Sequence, residues 1–361
     1  MTVLGPIDPD QLGVTLPHEH LQPNGHMIPG ATEEEKRANA PVKVTLETVG
    51  ELARVRNISF ENLEHDEDLI LGELAMFREV GGSTIVDLTC PGMGRDVPGL
   101  QRLSRASGVN VITATGRYCA PQHPPEVASQ TVDELASSFI GEISKGIEGT
   151  DVRAGVIKIG ISPGGGHPDE WKVARAAAAA QQETDVAISV HNALPFERMG
   201  MRVMRRLIQA GADPERVIMG HMTQSTPDIE YHRRVADTGA MIEFDKFGTE
   251  FYYDEAGTTV ADEGQVTVRA QSGDYALLHP WARDSDVVLE IAELVRYGYA
   301  DQILLSHDFS RRIGMVKYGG YGLRHVPGRI VRYLHAAGVS EADTRKMTVD
   351  SPSRLFTVNC A

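Results

Sequence analysis

The chain has 361 residues, 41% hydrophobic and 24% charged, a composition that suits a soluble globular protein with a large core. A net charge of −15 repels phosphate backbones and anionic lipid, so neither nucleic acid nor a membrane surface is an expected partner. Cys90, Cys119 and Cys360 without CxxC spacing, no secretory leader, and no run near roughly 18 apolar residues predict a cytoplasmic protein.

In chain order, short β-rich runs alternate with longer helical patterns. Residues 13–16 form the first candidate strand and 83–88 the second. Between them, 66–80 sets Leu69, Ile70, Leu74 and Phe77 at helical spacing and stops at Gly81-Gly82. Further strands are expected at 110–114, 154–159, 186–190, 217–219, 240–244 and 302–305. The alanine-rich segment 169–182 begins with acidic residues, and 286–297 repeats apolar residues at 287, 288, 291, 294 and 295; both read as helices. Eight strands joined by helical crossovers pair in parallel, and eight such units close a (β/α)8 TIM barrel of the α/β class. One domain over 1–361 is expected, with loop insertions at about 22–62, which includes the charged stretch 32–37, and 246–285. Both follow the C-terminal ends of strands, where barrels build active sites, so the second is expected to serve as a substrate lid.

The residues that carry chemistry sit at those strand ends. His18-Glu19-His20 follows a strand-like run, and residues i and i+2 of a strand share a face, so the two imidazoles project together while Glu19 points away. Two neutral imidazoles on one side make half of a zinc-type site, although a bare HxH is more often a surface or core pair. Lys158 interrupts the apolar run 156–159, His191 ends the fifth run, His221 follows the sixth and Asp308 the eighth. Each has a plain alternative: a satisfied buried histidine, an ion-paired or Schiff-base lysine, an aspartate capping a turn. Five strand ends agreeing in direction outweigh those alternatives, and a shared metal pocket is expected.

Leu16-Pro17-His18-Glu19-His20-Leu21, Val156-Ile157-Lys158, the lone histidines His191 and His221, and Ser306-His307-Asp308 together resemble the phosphotriesterase-like family of the amidohydrolase superfamily. Gly94-Arg95-Asp96, Thr115-Gly116-Arg117-Tyr118, Tyr318-Gly319-Gly320-Tyr321-Gly322 and Asp350-Ser351-Pro352-Ser353-Arg354-Leu355 extend the resemblance over nearly the full length. It implies two divalent metal ions, zinc first, with manganese, cobalt or iron as alternatives. The resemblance assigns His18, His20 and Asp308 to the more buried ion and His191 and His221 to the more exposed one. A carboxylated Lys158 bridges them, because a lysine ammonium has no lone pair to offer. Water shared by the ions is then a hydroxide near neutral pH, aimed at a carbonyl or phosphoryl centre, with Asp308 as the catalytic proton acceptor. The resemblance also implies a homodimer.

The substrate is less sharply drawn. Tyr118 stands where family lactonases carry a mouth-lining tyrosine, and Asp245-Lys246-Phe247-Gly248 resembles a lactonase Asp-Arg-Tyr-Gly segment with a flexible point charge replacing a fixed fork. Tyr118, Lys246 and Arg311 are the expected substrate contacts. Arg311 and Arg312 suit a carboxylate or phosphate, or equally an ion pair with a neighbouring acid. The segment after Asp308 is short for an acyl-homoserine lactonase. His307 is expected behind the site, and the glycine-rich loop 162–167, which lacks a P-loop lysine, at its mouth. Phe251, Tyr252, Tyr253 and Trp281 are expected either to wall an apolar subsite or to form the insertion's own small core. The expected reaction is hydrolysis of a small lactone or ester. N-acyl amide or phosphotriester hydrolysis is the alternative, and a non-catalytic small-molecule-binding barrel is the reading from another class.

Overall fold

The computed structural model describes residues 1–23, 42–53, 59–192, 197–249, 252–253, 259–262, 265–268, 279–280 and 282–358. Eight strands carry the fold: β1 (Val14–Glu19), β2 (Gly82–Asp87), β3 (Asn110–Arg117), β4 (Val156–Gly160), β5 (Ile188–His191), β6 (Val217–Met219), β7 (Met241–Phe244) and β8 (Ile303–Leu305). They pair in chain order and every pairing is parallel. A helix follows each strand: α1 (Glu67–Glu79), α2 (Val97–Ser107), α3 (Val132–Ser144), α4 (Pro168–Thr184), α5 (Gly200–Gln209), α6 (Ile229–Ala236), α7 (Asp284–Arg296) and α8 (Val331–Ala336). This is the expected (β/α)8 TIM barrel.

Two strands run further than the apolar pattern foretold. β1 continues from Leu16 to Glu19 and β3 from Ala114 to Arg117. Their last residues are polar because the barrel interior changes character halfway up. Along β4, Ile157 and Ile159 face the helices while Val156 joins an interior layer with Ile112, Ala114, Ile218, Met241 and Leu304. Lys158, one pleat above Val156, is fully buried among the polar groups. β7 repeats the switch, with Met241 in the apolar layer and Glu243 and Asp245 buried above it. The lower interior is an apolar plug and the upper interior is a floor of titratable groups.

Closure between β1 and β8 relies on side chains more than on a regular ladder. His18 N donates to Ser306 Oγ at 3.0 Å, Asp308 N to His18 O at 3.0 Å, and His20 N to Phe309 O at 3.0 Å. The fully buried Glu19 carboxylate sits at this seam. It accepts from Ser306 Oγ (2.8 Å), His307 N (3.1 Å), His307 Nδ1 (2.8 Å) and Phe309 N (2.7 Å). Three of these bonds fall on Oε1 and one on Oε2, and together they offset the desolvation of the carboxylate.

Among the described residues of 246–285, Thr259–Asp262 pairs antiparallel with Gln265–Val268 and in parallel with Glu197–Arg198, and Tyr252–Tyr253 pairs antiparallel with His279–Pro280. The pattern reading of the sequence had no strands there. The lid expected of that insertion, the charged stretch 32–37, Phe251 and Trp281 lie outside the described residues, as do the side chains of Tyr252 and Tyr253. Among the described residues no helix is long and apolar enough to cross a membrane.

Glu19→Ala leaves four buried donors facing a void. Its unfolding free energy in urea is expected to fall by about 3 kcal/mol, the scale for breaking a buried charged hydrogen-bond network.

Candidate metal centre at the strand ends

Both imidazoles of the HxH segment turn into the barrel, and a bulge is responsible. Leu16 faces the helices, so plain alternation from it would send His18 outward. The register against β2 shifts between Leu16 and Glu19, which re-aims His18 and His20 inward and leaves Glu19 at the seam. His221 and Asp308 reach the same space by another device, left-handed backbone at φ 64° and 49°. Such φ values strain an L residue by about 1–3 kcal/mol and persist where the surroundings over-determine them.

The groups converge tightly. The His18 and His20 ring centroids are 5.7 Å apart, His18 and His221 5.2 Å, and His191 and His221 4.5 Å. Lys158 Nζ lies 3.2 Å from His18 Nε2, and His191 Nδ1 lies 2.6 Å from His221 Nε2. Asp308 Oδ1 is 3.2 Å from His20 Nε2 and 3.8 Å from His18 Nε2. His18, His221 and Asp308 each offer a ligand atom within 4.8 Å of the others. All six residues singled out in the sequence therefore line one cavity floor.

Behind them stands a layer that fixes which nitrogen is free. His18 Nδ1 is 2.8 Å from Asp245 Oδ2 and 3.0 Å from Glu243 Oε2. Asp245 also accepts from His221 N (2.9 Å) and His221 Nδ1 (3.1 Å), and His20 Nδ1 meets Thr89 Oγ1 at 2.9 Å. The side-chain contacts engage Nδ1 of His18, His20 and His221 and leave each Nε2 lone pair facing the cavity. His18, Glu243 and Asp245 form a second group with ligand-like spacing. Asp245 already receives three N–H groups, so its chemistry here is orientation.

Burial, then the Lys158 charge, lowers His18 to about 3. Burial, then His221, holds His191 well below the usual imidazole range. Burial also lowers Lys158, which favours the free amine that carboxylation needs. For Asp308 burial pulls upward, but Lys246, His18 and His20 outweigh it and hold the carboxyl well below its ordinary range. Asp245 follows the same pattern through His221 and His18. Burial and the Asp245 charge push Glu243 well up. Neutral His18 and His191 beside an ionised Asp308 are protonation states that a divalent cation requires, so the donor set fits a metal.

The remaining expectations divide. Tyr118 sits over the floor, its hydroxyl 3.1 Å from His191 Nδ1. Lys246 is ion-paired to Asp308 through Oδ2. Arg312 takes the ion-pair alternative, bound to Glu61 at 3.2 Å and Asp66 at 3.1 Å, while Arg311 next to it is half-buried. His307 supports the seam, donating to Glu19 at Nδ1 and accepting Val326 N at Nε2 (3.1 Å), and does not touch a floor imidazole in these bonds. The glycine-rich loop cradles an anion, but that anion is the protein's own Glu170 carboxylate, which accepts from Ser162 N and His167 N. Sequence reasoning missed Glu243 and Asp245 as orienting groups. The signal was there: acids at i and i+2 in the apolar run Met241–Phe244 and its next residue.

Residues 1–356 match the Phosphotriesterase family. The N-acetyltaurine hydrolase of Danio rerio is 32% identical over 371 aligned positions, spanning 99% of this chain and 97% of its own. Among solved structures, a resiniferatoxin-binding protein from Rhodobacter sphaeroides aligns with a TM-score of 0.86 at 34% identity, covering 99% of this chain and 94% of that one. A lactonase from Listeria monocytogenes gives 0.73 at 26% identity, covering 99% and 98%. The fold and these relatives define a barrel hydrolase. The chain belongs to the phosphotriesterase family, whose members are generally binuclear metal enzymes.

Asp245→Asn replaces an acceptor shared by two imidazoles and is expected to weaken metal binding roughly 10–100-fold, measured by competition with a chromophoric chelator. In metal-stripped protein, His18 should remain neutral at pH 5 by nitrogen-15 NMR, with its proton on Nδ1. A histidine lowered from 6.5 to about 3 contributes stability that is full above pH 6.5 and is lost as pH falls toward 3.

Proposed function

We propose that this protein is a binuclear metal-dependent hydrolase that cleaves the carbonyl group of a small acyl compound, an N-acyl amide ahead of a lactone or ester. The observation that carries the reading is the convergence of four imidazoles, Lys158 and Asp308 on one floor, with the tautomer-fixing contacts of Asp245 and Thr89 beneath it. His18, His20 and Asp308 would hold one ion and His191 and His221 the other, with carboxylated Lys158 as the ligand available to both. When bound, such ions polarise the scissile carbonyl and lower the pKa of water.

The chain's own residues do the rest. Asp308, held ionised by its neighbours, accepts the proton released from the attacking water and returns it to the leaving group. Tyr118, buried at its base with its hydroxyl on His191, walls the pocket beside the carbonyl. Lys246, on the outer oxygen of Asp308, meets the polar end of the substrate, and Arg311 one residue before the Arg312 ion pair flanks the same mouth. Two observations support our putting amide ahead of lactone: the 32% identity to an N-acetyltaurine hydrolase against 26% for the lactonase, and Lys246 where the lactonase-like motif carries arginine. The lactone and ester reading, first on sequence alone, keeps the support of Tyr118. The same proposal carries one domain over 1–361, a cytoplasmic setting and a homodimer.

The test is metal per chain by elemental analysis of protein purified without chelator, with Lys158→Ala as the comparison. Close to two ions are expected, falling sharply in the variant. The loaded enzyme is then offered N-acetyltaurine, N-acyl amino acids, γ-lactones, aryl esters and a phosphotriester, with the highest kcat/KM expected on an N-acyl amide. A lactone preference would reverse the order of the two readings. Metal-free protein, even after divalent ions and bicarbonate are supplied, would sink the binuclear mechanism.

A further inference from the structure

Four donors converge on one buried carboxylate that the proposed chemistry does not use. Glu170, in the first turn of α4, is fully buried. Its Oε1 accepts from Ala120 N at 2.8 Å and Ser162 Oγ at 2.5 Å; its Oε2 accepts from Ser162 N at 2.9 Å and His167 N at 2.8 Å. Burying a carboxylate is costly unless its lone pairs are filled, and here all four are. A role as helix cap explains only the His167 bond. The other three come from outside the helix, one from the loop after β3 and two from the loop after β4.

Those loops carry and flank Tyr118. Its neighbour Cys119 crosses directly over Gly160 at the end of β4, where an added Cβ would lie 2.8 Å from Cys119 N and Sγ. Ile161 N, next along, donates to His191 O at 2.9 Å. The Tyr118 carbonyl accepts from His123 Nε2 at 2.8 Å, and the Tyr118 hydroxyl ends 3.1 Å from His191 Nδ1. Ala120, two residues on, is the point at which this chain path is tied to Glu170. On the other side, Trp171 Nε1 donates to Gly165 O at 2.9 Å and fixes the glycine loop to the same helical turn.

We propose that Glu170 is a positioning residue that sets Tyr118 against His191, and thereby shapes the substrate pocket, by pinning the loops after β3 and β4 to each other. The inference rests on the reading of Tyr118 as a pocket wall. Glu170→Gln turns one acceptor oxygen into an amide nitrogen facing N–H and O–H donors, so at least one tie breaks while the charge and little else is lost.

The test uses the full-length, metal-loaded protein with 3-fluorotyrosine placed at position 118, whose fluorine resonance reports the ring's surroundings without turnover. Glu170→Gln is expected to shift that resonance and to raise KM for p-nitrophenyl acetate about tenfold while kcat changes less than about threefold. Tyr118→Phe should raise KM in the same way, and the double variant no further than Tyr118→Phe alone, because both changes act on one feature. Glu134→Gln, in the exposed capping box of α3, should alter neither readout. If Glu170→Gln does not fold, Ser162→Ala removes the hydroxyl donor alone and is read the same way with a smaller effect. An unmoved resonance, or KM effects that multiply in the double variant, overturns the proposal. A parent enzyme inert toward the ester counts against the ester reading alone, and the fluorine shift then decides this proposal.

Discussion

The upper half of this barrel depends on the Glu19 carboxylate. A parallel barrel must close its first strand on its last, and here that seam has few backbone ladder bonds to rely on. One buried anion gathers the hydroxyl of Ser306, both nitrogen donors of His307 and the amide of Phe309. The residues on either side of Glu19 are His18 and His20, and the residue between its partners is Asp308. The group that closes the barrel therefore also sets the spacing between ligands from opposite ends of the chain, 288 residues apart where His18 meets Ser306. Stability and site geometry are consequences of the same four bonds.

Above that seam the interior trades packing for polarity. The apolar plug of Ile112, Val156, Ile218, Met241 and Leu304 fills the lower barrel. One pleat higher β4 presents Lys158 and β7 presents Glu243, and just past the ends of β6, β7 and β8 come His221, Asp245 and Asp308. Buried carboxylates are tolerated there because each is satisfied, Asp245 by N–H groups of two imidazoles and a backbone amide and Asp308 by its pairing with Lys246. The left-handed backbone at His221 and Asp308 is consistent with a floor whose geometry is held against local preference.

Much of this was legible in the sequence, and the reasons are local. Strand and helix periods, together with Gly81-Gly82 and the acidic start of 169–182, are short-range signals, so eight strands and three of the helices between them could be placed in order. The six floor residues were legible because each ends or interrupts an apolar run. What escaped depends on register and long-range pairing. The bulge that turns His18 inward follows from how β1 sits against β2, which no run of residues encodes by itself. Arg312 was undecided until Glu61 and Asp66 came beside it. Glu170 read as an ordinary first-turn acid because its partners lie 50 and 8 residues away.

That last arrangement bears on how such a protein can change over generations. The donor at Ala120 and the acceptor at Glu170 belong to one hydrogen-bonded unit, yet a whole βα module separates them in the gene. Recombination between relatives with a breakpoint inside that interval would bring together a loop from one parent and its anchor from the other. The two loops are thus expected to be inherited as a block, and new pocket shapes to arise by paired changes at both rather than by grafting either one.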